Sequence, residues 1–225
     1  MVELAVTATP ITRLERAAIT GVILAGGRGS RMGGVDKGLQ NFNGQTLVWH
    51  TLQRLAPQVG QLMISANRHL SAYQAFGPPV WPDGAELGEY AGPLAGFITA
   101  LAHCETPFLL TVPCDTPLFP TDLAARLAEA LHREGADLAI ASAPDAQGQL
   151  RVQPVFCLLR CTLLASLVRY AQAGGRKIQT WTAEQKMTTA AFNQTGDGAH
   201  AFFNINTLVE LQQLESQPAA MAAKP

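Results

Sequence analysis

Charge of either sign is scarce and balanced: Lys and Arg number 16, Asp and Glu 17, and the formal net charge is −1. Without a global basic field the chain makes a poor nucleic-acid surface, and no nucleic-acid partner is expected. None of the four cysteines, Cys104, Cys114, Cys157 and Cys161, forms a Cys-x-x-Cys pair, and the five histidines stand at no metal-ligand interval. The thiols therefore read as buried and free. No apolar stretch approaches the roughly 20 residues of a membrane-spanning helix, and the N-terminus has no compact apolar signal core. A cytoplasmic protein with no membrane partner is the expectation.

Two common phosphate-binding signatures are missing as well. A P-loop ends in Gly-Lys followed by Ser or Thr, whereas Lys37 is preceded by Asp36 and followed by Gly38. The dinucleotide fingerprint needs a third glycine at its sixth position, and here that position is Met32. What stands in their place is the run Ile23 to Lys37, a glycine-rich and cationic loop entered from an apolar stretch. Gly26, Gly27, Gly29, Gly33 and Gly34 let backbone N–H groups approach a polyphosphate, while Arg28, Arg31 and Lys37 supply charge and donors. Arg31 suits bidentate contact with phosphate oxygens, and Lys37 acts as a compact point charge.

With 225 residues, 48% hydrophobic and 15% charged, the chain reads as one soluble domain. We expect a poorly ordered leader over 1–18, a single domain over 19–215 and a flexible Ala/Pro-rich tail over 216–225. Short apolar runs at Gly21–Ala25, Leu62–Ser65, Pro107–Val112 and Leu138–Ala141 have the character of buried parallel strands. Between them, Trp49, Leu52 and Leu55, then Leu94 to Leu101 after Gly92-Pro93, then Leu123, Leu127 and Leu131, repeat at helical spacing. Further on, Pro154–Leu159 reads as a strand, Thr162–Ala173 as a helix ended by Gly174-Gly175, Phe202 and Phe203 as an aromatic strand, and Thr207–Leu214 as a helix. The alternation predicts an α/β fold, a three-layer sandwich around a mostly parallel sheet that turns mixed in its second half.

In a parallel sheet the carboxyl ends of the strands face the ligand crevice. Asp115, in Pro113-Cys114-Asp115-Thr116-Pro117, follows one such strand and is the expected magnesium ligand, because polyphosphate chemistry calls for a divalent ion held by one or two carboxylates. The alternative for Asp115 is an Asx-turn or a helix cap. Ser65 and Asn67 end another strand and offer hydrogen bonds to a base or ribose, although Asn67 suits a turn equally well.

The pattern Leu-Ala-Gly-Gly, then Arg31-Met32-Gly33, then Lys37, resembles the signature loop of nucleotidyltransferases that activate sugars and cofactors. The near-continuous match from Arg31 to Gly38 is similar to the molybdenum cofactor guanylyltransferase family, whose fold is Rossmann-like. The resemblance spans about residues 19–215 and is densest in the first hundred. It implies transfer of GMP from GTP to the terminal phosphate of molybdopterin, with Arg31, Lys37 and Asp115 catalytic and magnesium on Asp115. It implies nucleotide contacts from Leu24, Ala25, Gly26, Gly27, Lys37, Ser65, Asn67, Asp83, Gly92 and Asp115, and acceptor contacts from Asn204 and Asn206. A molybdenum-insertion protein and molybdoenzyme-specific chaperones are the implied protein partners.

Three positions need comment within that pattern. Ser65 stands where the family often has Asn, which leaves Asn67 as the firmer base contact. Gly26 is typical of guanylyl-transferring members, where cytidylyl-transferring relatives tend to carry Ala, and its missing Cβ would leave room for a purine. Asn206 is either an acceptor contact or the N-cap of the last helix. Arg151, Arg176 and Lys177 lie in later loops and are either a grip for the acceptor phosphate or solvated charges. The rival readings are a cytidylyl- or sugar-phosphate nucleotidyltransferase and a non-catalytic nucleotide binder; Arg31, Lys37 and Asp115 together favour an enzyme.

Overall fold

Side chains that alternate between two apolar layers set the architecture of this computed structural model, which describes residues 14–27, 35–84, 93–198 and 200–216. In chain order the elements are β1 (Ile19–Leu24), β2 (Asn41–Phe42), β3 (Gln45–Thr46), α1 (Leu47–Leu55), β4 (Gln61–Ser65), α2 (Leu70–Gln74), β5 (Val80–Trp81), α3 (Pro93–Ala102) and β6 (Phe108–Pro113). There follow α4 (Leu123–Arg133), β7 (Leu138–Pro144), β8 (Leu150–Arg160), α5 (Leu164–Gln172), α6 (Ile178–Ala183), β9 (Met187–Ala191) and α7 (Leu208–Glu215).

Seven strands form one sheet in the order β5-β4-β1-β6-β8-β7-β9, while β2 and β3 make a separate hairpin. Strands β5, β4, β1 and β6 are mutually parallel, β8 runs antiparallel to both β6 and β7, and β9 is parallel to β7. Successive residues of one strand enter opposite layers: Ala139 and Ala141 join the side packed by α1 and α4, Leu138 and Ile140 the side packed by α3, α5 and α6. Burial on both faces explains why these strands read as unbroken apolar runs. The expected three-layer sandwich with a mostly parallel, partly mixed sheet is the fold found.

Several elements differ from the sequence reading. Of the expected leader, residues 14–18 are described: Arg16–Ala18 form a 3-10 turn, and Leu14 packs against the core. Residues 1–13 and 217–225 lie outside the described residues. The aromatic segment is not a strand: Phe202 ends a turn, Phe203 is irregular, and Phe202 owes its place to edge contacts with Phe156 and Phe192. Strand β8 is longer than expected and interrupted. Its pairing with β7 passes from Ile140–Cys157 to Ala141–Gln153, which leaves Pro154, Val155 and Phe156 out of that register. Proline cannot donate to a ladder, so Pro154 favours such a bulge, and Thr111 Oγ1 secures it by donating to the Val155 carbonyl at 2.6 Å.

The four thiols are free; Cys114 and Cys157 are buried, Cys104 and Cys161 half-buried. No helix among the described residues is long and apolar enough to cross a membrane.

Candidate active site

Register brings the strand-end candidates together. Leu24 stands beside Ser65 and Pro113, and Ser65 beside Trp81, so four parallel strands end at one edge. The chain stays tied just past those ends, where Ala25 N donates to Ser65 O at 2.8 Å and Cys114 N to Leu24 O at 3.1 Å. At this edge opens a cavity of about 690 Å³, lined by Leu24, Ala25, Gly26, Gly27, Lys37, Ser65, Asn67, Asp83 and Asp115, with Asn204 and Asn206 on its other side. Its size falls within the range of about 300–1,000 Å³ usual for small-molecule sites. Two candidates, Arg31 and Gly92, lie outside the described residues, as does Arg28.

On one side of the cavity Asn67 and Asp83 form a closed pair. Asn67 Nδ2 donates to Asp83 Oδ2 at 2.6 Å, and Asp83 N donates back to Asn67 Oδ1 at 2.8 Å. Ser65, buried at the end of β4, adds a longer hydrogen bond to Asp83 Oδ1 at 3.4 Å. Gly26 lies against this pair: a Cβ there would sit 2.9 Å from Asn67 Nδ2. The missing side chain therefore makes room for Asn67, a closer constraint than open space for a base. Arg68 extends the same wall, with Nη2 donating to the Gly27 carbonyl at 3.0 Å.

Across the cavity, Lys37 Nζ donates to Asp115 Oδ2 at 3.1 Å and to Asn206 Oδ1 at 2.9 Å. Both ionic side chains are about one-fifth exposed, screened enough to be held and open enough to be reached. Asp115 is neither a helix cap nor the centre of an Asx-turn; its carboxylate faces an ammonium donor. Asn206 is not the N-cap of α7 either. Thr207 takes that role in a capping box, with its Oγ1 accepting from Glu210 N and the Glu210 carboxylate accepting from the Thr207 and Asn206 amides. Capping by Thr207 leaves the Asn206 side chain for Lys37. Thr116 Oγ1 donates to Asn204 Oδ1 at 2.5 Å and Ile205 N to Asp115 O at 2.9 Å, which docks the Asn204–Asn206 segment onto the Asp115 turn.

The sequence reading missed the wall built by β8. Gln153, Pro154, Val155 and Phe156 line the cavity between Asp115 and the Asn204 segment. Because β8 is antiparallel, its middle rather than its end reaches this edge; the one signal was proline inside a strand pattern. Arg151, Arg176 and Lys177 are not among the lining residues. Arg151 Nε donates to Asp145 Oδ2 at 2.9 Å, Arg176 Nη1 donates to the Ala171 and Gly175 carbonyls, and Lys177 precedes α6 as its N-cap residue. Among the described residues, no three His, Cys, Asp or Glu side chains cluster at metal-ligand spacing.

Residues 21–188 match the family described as MobA-like NTP transferase domain. The molybdenum cofactor guanylyltransferase of Acidovorax ebreus (strain TPSY) is 67% identical over 202 residues, covering 88% of this chain and 95% of that one. The chain belongs to the MobA-like NTP transferase family. Solved structures share its fold. The molybdopterin-guanine dinucleotide biosynthesis protein A of Archaeoglobus fulgidus superposes with a TM-score of 0.69 at 20% identity, over 87% of this chain and 96% of that one. The Rv0371C protein of Mycobacterium tuberculosis, solved as a manganese complex, gives 0.62 at 20% identity, over 89% and 100%. In this MobA-like transferase, the cavity opens at the parallel strand ends, and the Lys37–Asp115 ion pair is part of its lining.

Proposed function

We propose that this chain transfers GMP from GTP to the terminal phosphate of molybdopterin, giving the guanine dinucleotide form of the cofactor and pyrophosphate. The carrying observation is the Lys37–Asp115–Asn206 cluster, which stands between the Gly26–Asn67–Asp83 wall and the β8–Asn204 wall of one cavity. Guanine lies on the first wall, beside Leu24 to Gly27, Asn67 and Asp83. The acceptor lies against Gln153 to Phe156, Asn204 and Asn206. The transferring phosphate then sits beside Lys37.

An acceptor phosphate oxygen attacks the α-phosphorus of GTP as the bond to the pyrophosphate oxygen breaks. The acceptor is already anionic, so no general base is needed, and the protein contributes positioning and charge. An ammonium has three N–H donors; two of those on Lys37 engage Asp115 and Asn206, and the third is for a phosphate oxygen. Arg31 completes the cationic side in the same reading.

The donor set fits magnesium. A lone carboxylate suits an ion that takes its remaining ligands from phosphate oxygens and water, and Asp115 Oδ1 accepts no hydrogen bond among the described residues. When bound, the ion neutralises charge that builds on the transferring and leaving oxygens. Asp115 would hold it, while Lys37 fixes the carboxylate through Oδ2.

Purified protein incubated with molybdopterin, magnesium and each of GTP, CTP and ATP should release pyrophosphate with GTP alone. Turnover with CTP and none with GTP would overturn the guanylyl assignment. A second expectation concerns Gly26. Gly26→Ala should leave the fold intact and lower kcat/KM for GTP about tenfold, because the new methyl displaces an Asn67 amide held by two hydrogen bonds. Steady-state kinetics with unchanged GTP use would show that Asn67 does not read the donor.

A further inference from the structure

Asp36 and Tyr73 form a buried pair immediately beside Lys37. The Tyr73 hydroxyl donates to Asp36 Oδ1 at 2.5 Å; Tyr73 is 0% exposed and Asp36 6%. Burying a carboxylate is costly unless hydrogen bonds replace its water, and a chain needing only packing here would use two apolar residues at no such cost. The polar pair therefore calls for a purpose beyond filling space.

Its location supplies one. Asp36 precedes Lys37 and Gly38 follows it, and both lie at the same hydroxyl: a Cβ on Gly38 would collide with the Tyr73 oxygen. Tyr73 thus holds the Asp36 side chain on one side of the lysine and lies against Gly38 on the other. Three further hydrogen bonds hold the same stretch, from Gln40 Nε2 to Asp36 O at 2.9 Å, from Gln40 N to Lys37 O at 3.0 Å and from Val48 N to Gly38 O at 2.9 Å. A lysine side chain is a flexible four-carbon stem, so placing its ammonium within a hydrogen bond of Asp115 and Asn206 depends on a fixed starting point.

We infer that Tyr73 is a positioning residue for nucleotidyl transfer: by holding the Asp36 carboxylate it fixes the backbone from which Lys37 reaches the reacting phosphates. The inference rests on the proposed function through the role of Lys37. Burial first, then the neighbouring Cys114 and Asp36, pushes the Tyr73 hydroxyl far above its ordinary pKa, so it remains an O–H donor at any working pH.

Tyr73→Phe removes one oxygen and keeps the ring. With GTP, molybdopterin and magnesium, kcat should fall about tenfold with little change in KM for GTP, the size expected when a buried hydrogen bond to a charged group is lost. Amide hydrogen exchange should quicken over residues 36–40 and stay unchanged in the strands. In a Lys37→Ala background the same substitution should cost less than about twofold, since it acts through the lysine. Asp36→Asn keeps an acceptor oxygen for Tyr73 and should fall between wild type and Tyr73→Phe, which provides a second variant should the first fail to fold. An unchanged kcat with unchanged exchange would overturn the inference, as would an equal loss with and without Lys37. If wild-type protein turned over no nucleotide while exchange at 36–40 still quickened in Tyr73→Phe, the proposed function would fall and the anchoring of the Lys37 backbone would stand.

Discussion

Asp115→Asn is expected to reduce pyrophosphate release roughly a thousandfold while leaving the fold intact, a loss on the scale of removing one preorganised electrostatic contact together with its metal. The substitution removes a charge at nearly constant size. Lys37 keeps Asn206 as a partner and gains an amide oxygen where Oδ2 was, and the bond from Ile205 N to the residue 115 carbonyl is a backbone contact that the change does not touch. Thermal unfolding should therefore shift little, since the ion pair is partly exposed and its net worth small. The two readouts separate the alternatives. Low turnover with an unchanged melting profile and a raised magnesium requirement supports Asp115 as the metal ligand; full activity at ordinary magnesium would leave it a purely structural residue.

Most of the fold was legible because its strands are buried on both faces. Gly21 to Ala25 and Pro107 to Val112 read as strands for that reason, and β1 and β6 occupy nearly those bounds. Where burial is partial the pattern fails. Strand β9, Met187-Thr188-Thr189-Ala190-Ala191, has one buried residue and no apolar run, and the five-residue helix α2 is too short to show a period. Phe202 erred in the other direction, since its apolar character serves an aromatic cluster in a turn.

The candidate site divides along the same physical line. Leu24 to Gly27, Ser65, Asn67, Asp83 and Asp115 all end or follow parallel strands; the strand-end rule pointed to Ser65, Asn67 and Asp115, and the family resemblance added Leu24, Ala25 and Asp83. The wall from Gln153 to Phe156 escaped that rule, because it depends on the reversed direction of β8 and on a bulge, neither of which has a local signature beyond Pro154. Tyr73 escaped it too: its partner lies 37 residues away in sequence, and a tyrosine on a short helix announces nothing. Asn206 shows how a local ambiguity is resolved by a neighbour. Thr207 and Glu210 complete a capping box, and only then is the Asn206 amide available to Lys37.

Lys37→Ala should slow transfer roughly a hundredfold and weaken GTP binding, the range expected when one charged donor to the transition state is removed. The lysine joins Asp115 at one strand end to Asn206 on the docked segment, so its loss removes, in the proposed function, a charge beside the phosphates and, in the fold, one of the ties between those groups. Lys37→Arg should rescue little of the rate. Gly38 and Asp36 hold the backbone against Tyr73, and a planar guanidinium on that fixed stem cannot place a point charge where the ammonium stood. Magnesium dependence distinguishes this variant from Asp115→Asn. In the proposed function, high magnesium should partly restore Asp115→Asn, whose defect would be weakened metal binding, but not Lys37→Ala, whose carboxylate is intact and which would lack the cation that contacts phosphate. A Lys37→Ala rate equal to wild type at saturating GTP would move the phosphate contact to another residue, and recovery of both variants by magnesium would merge the two roles into one.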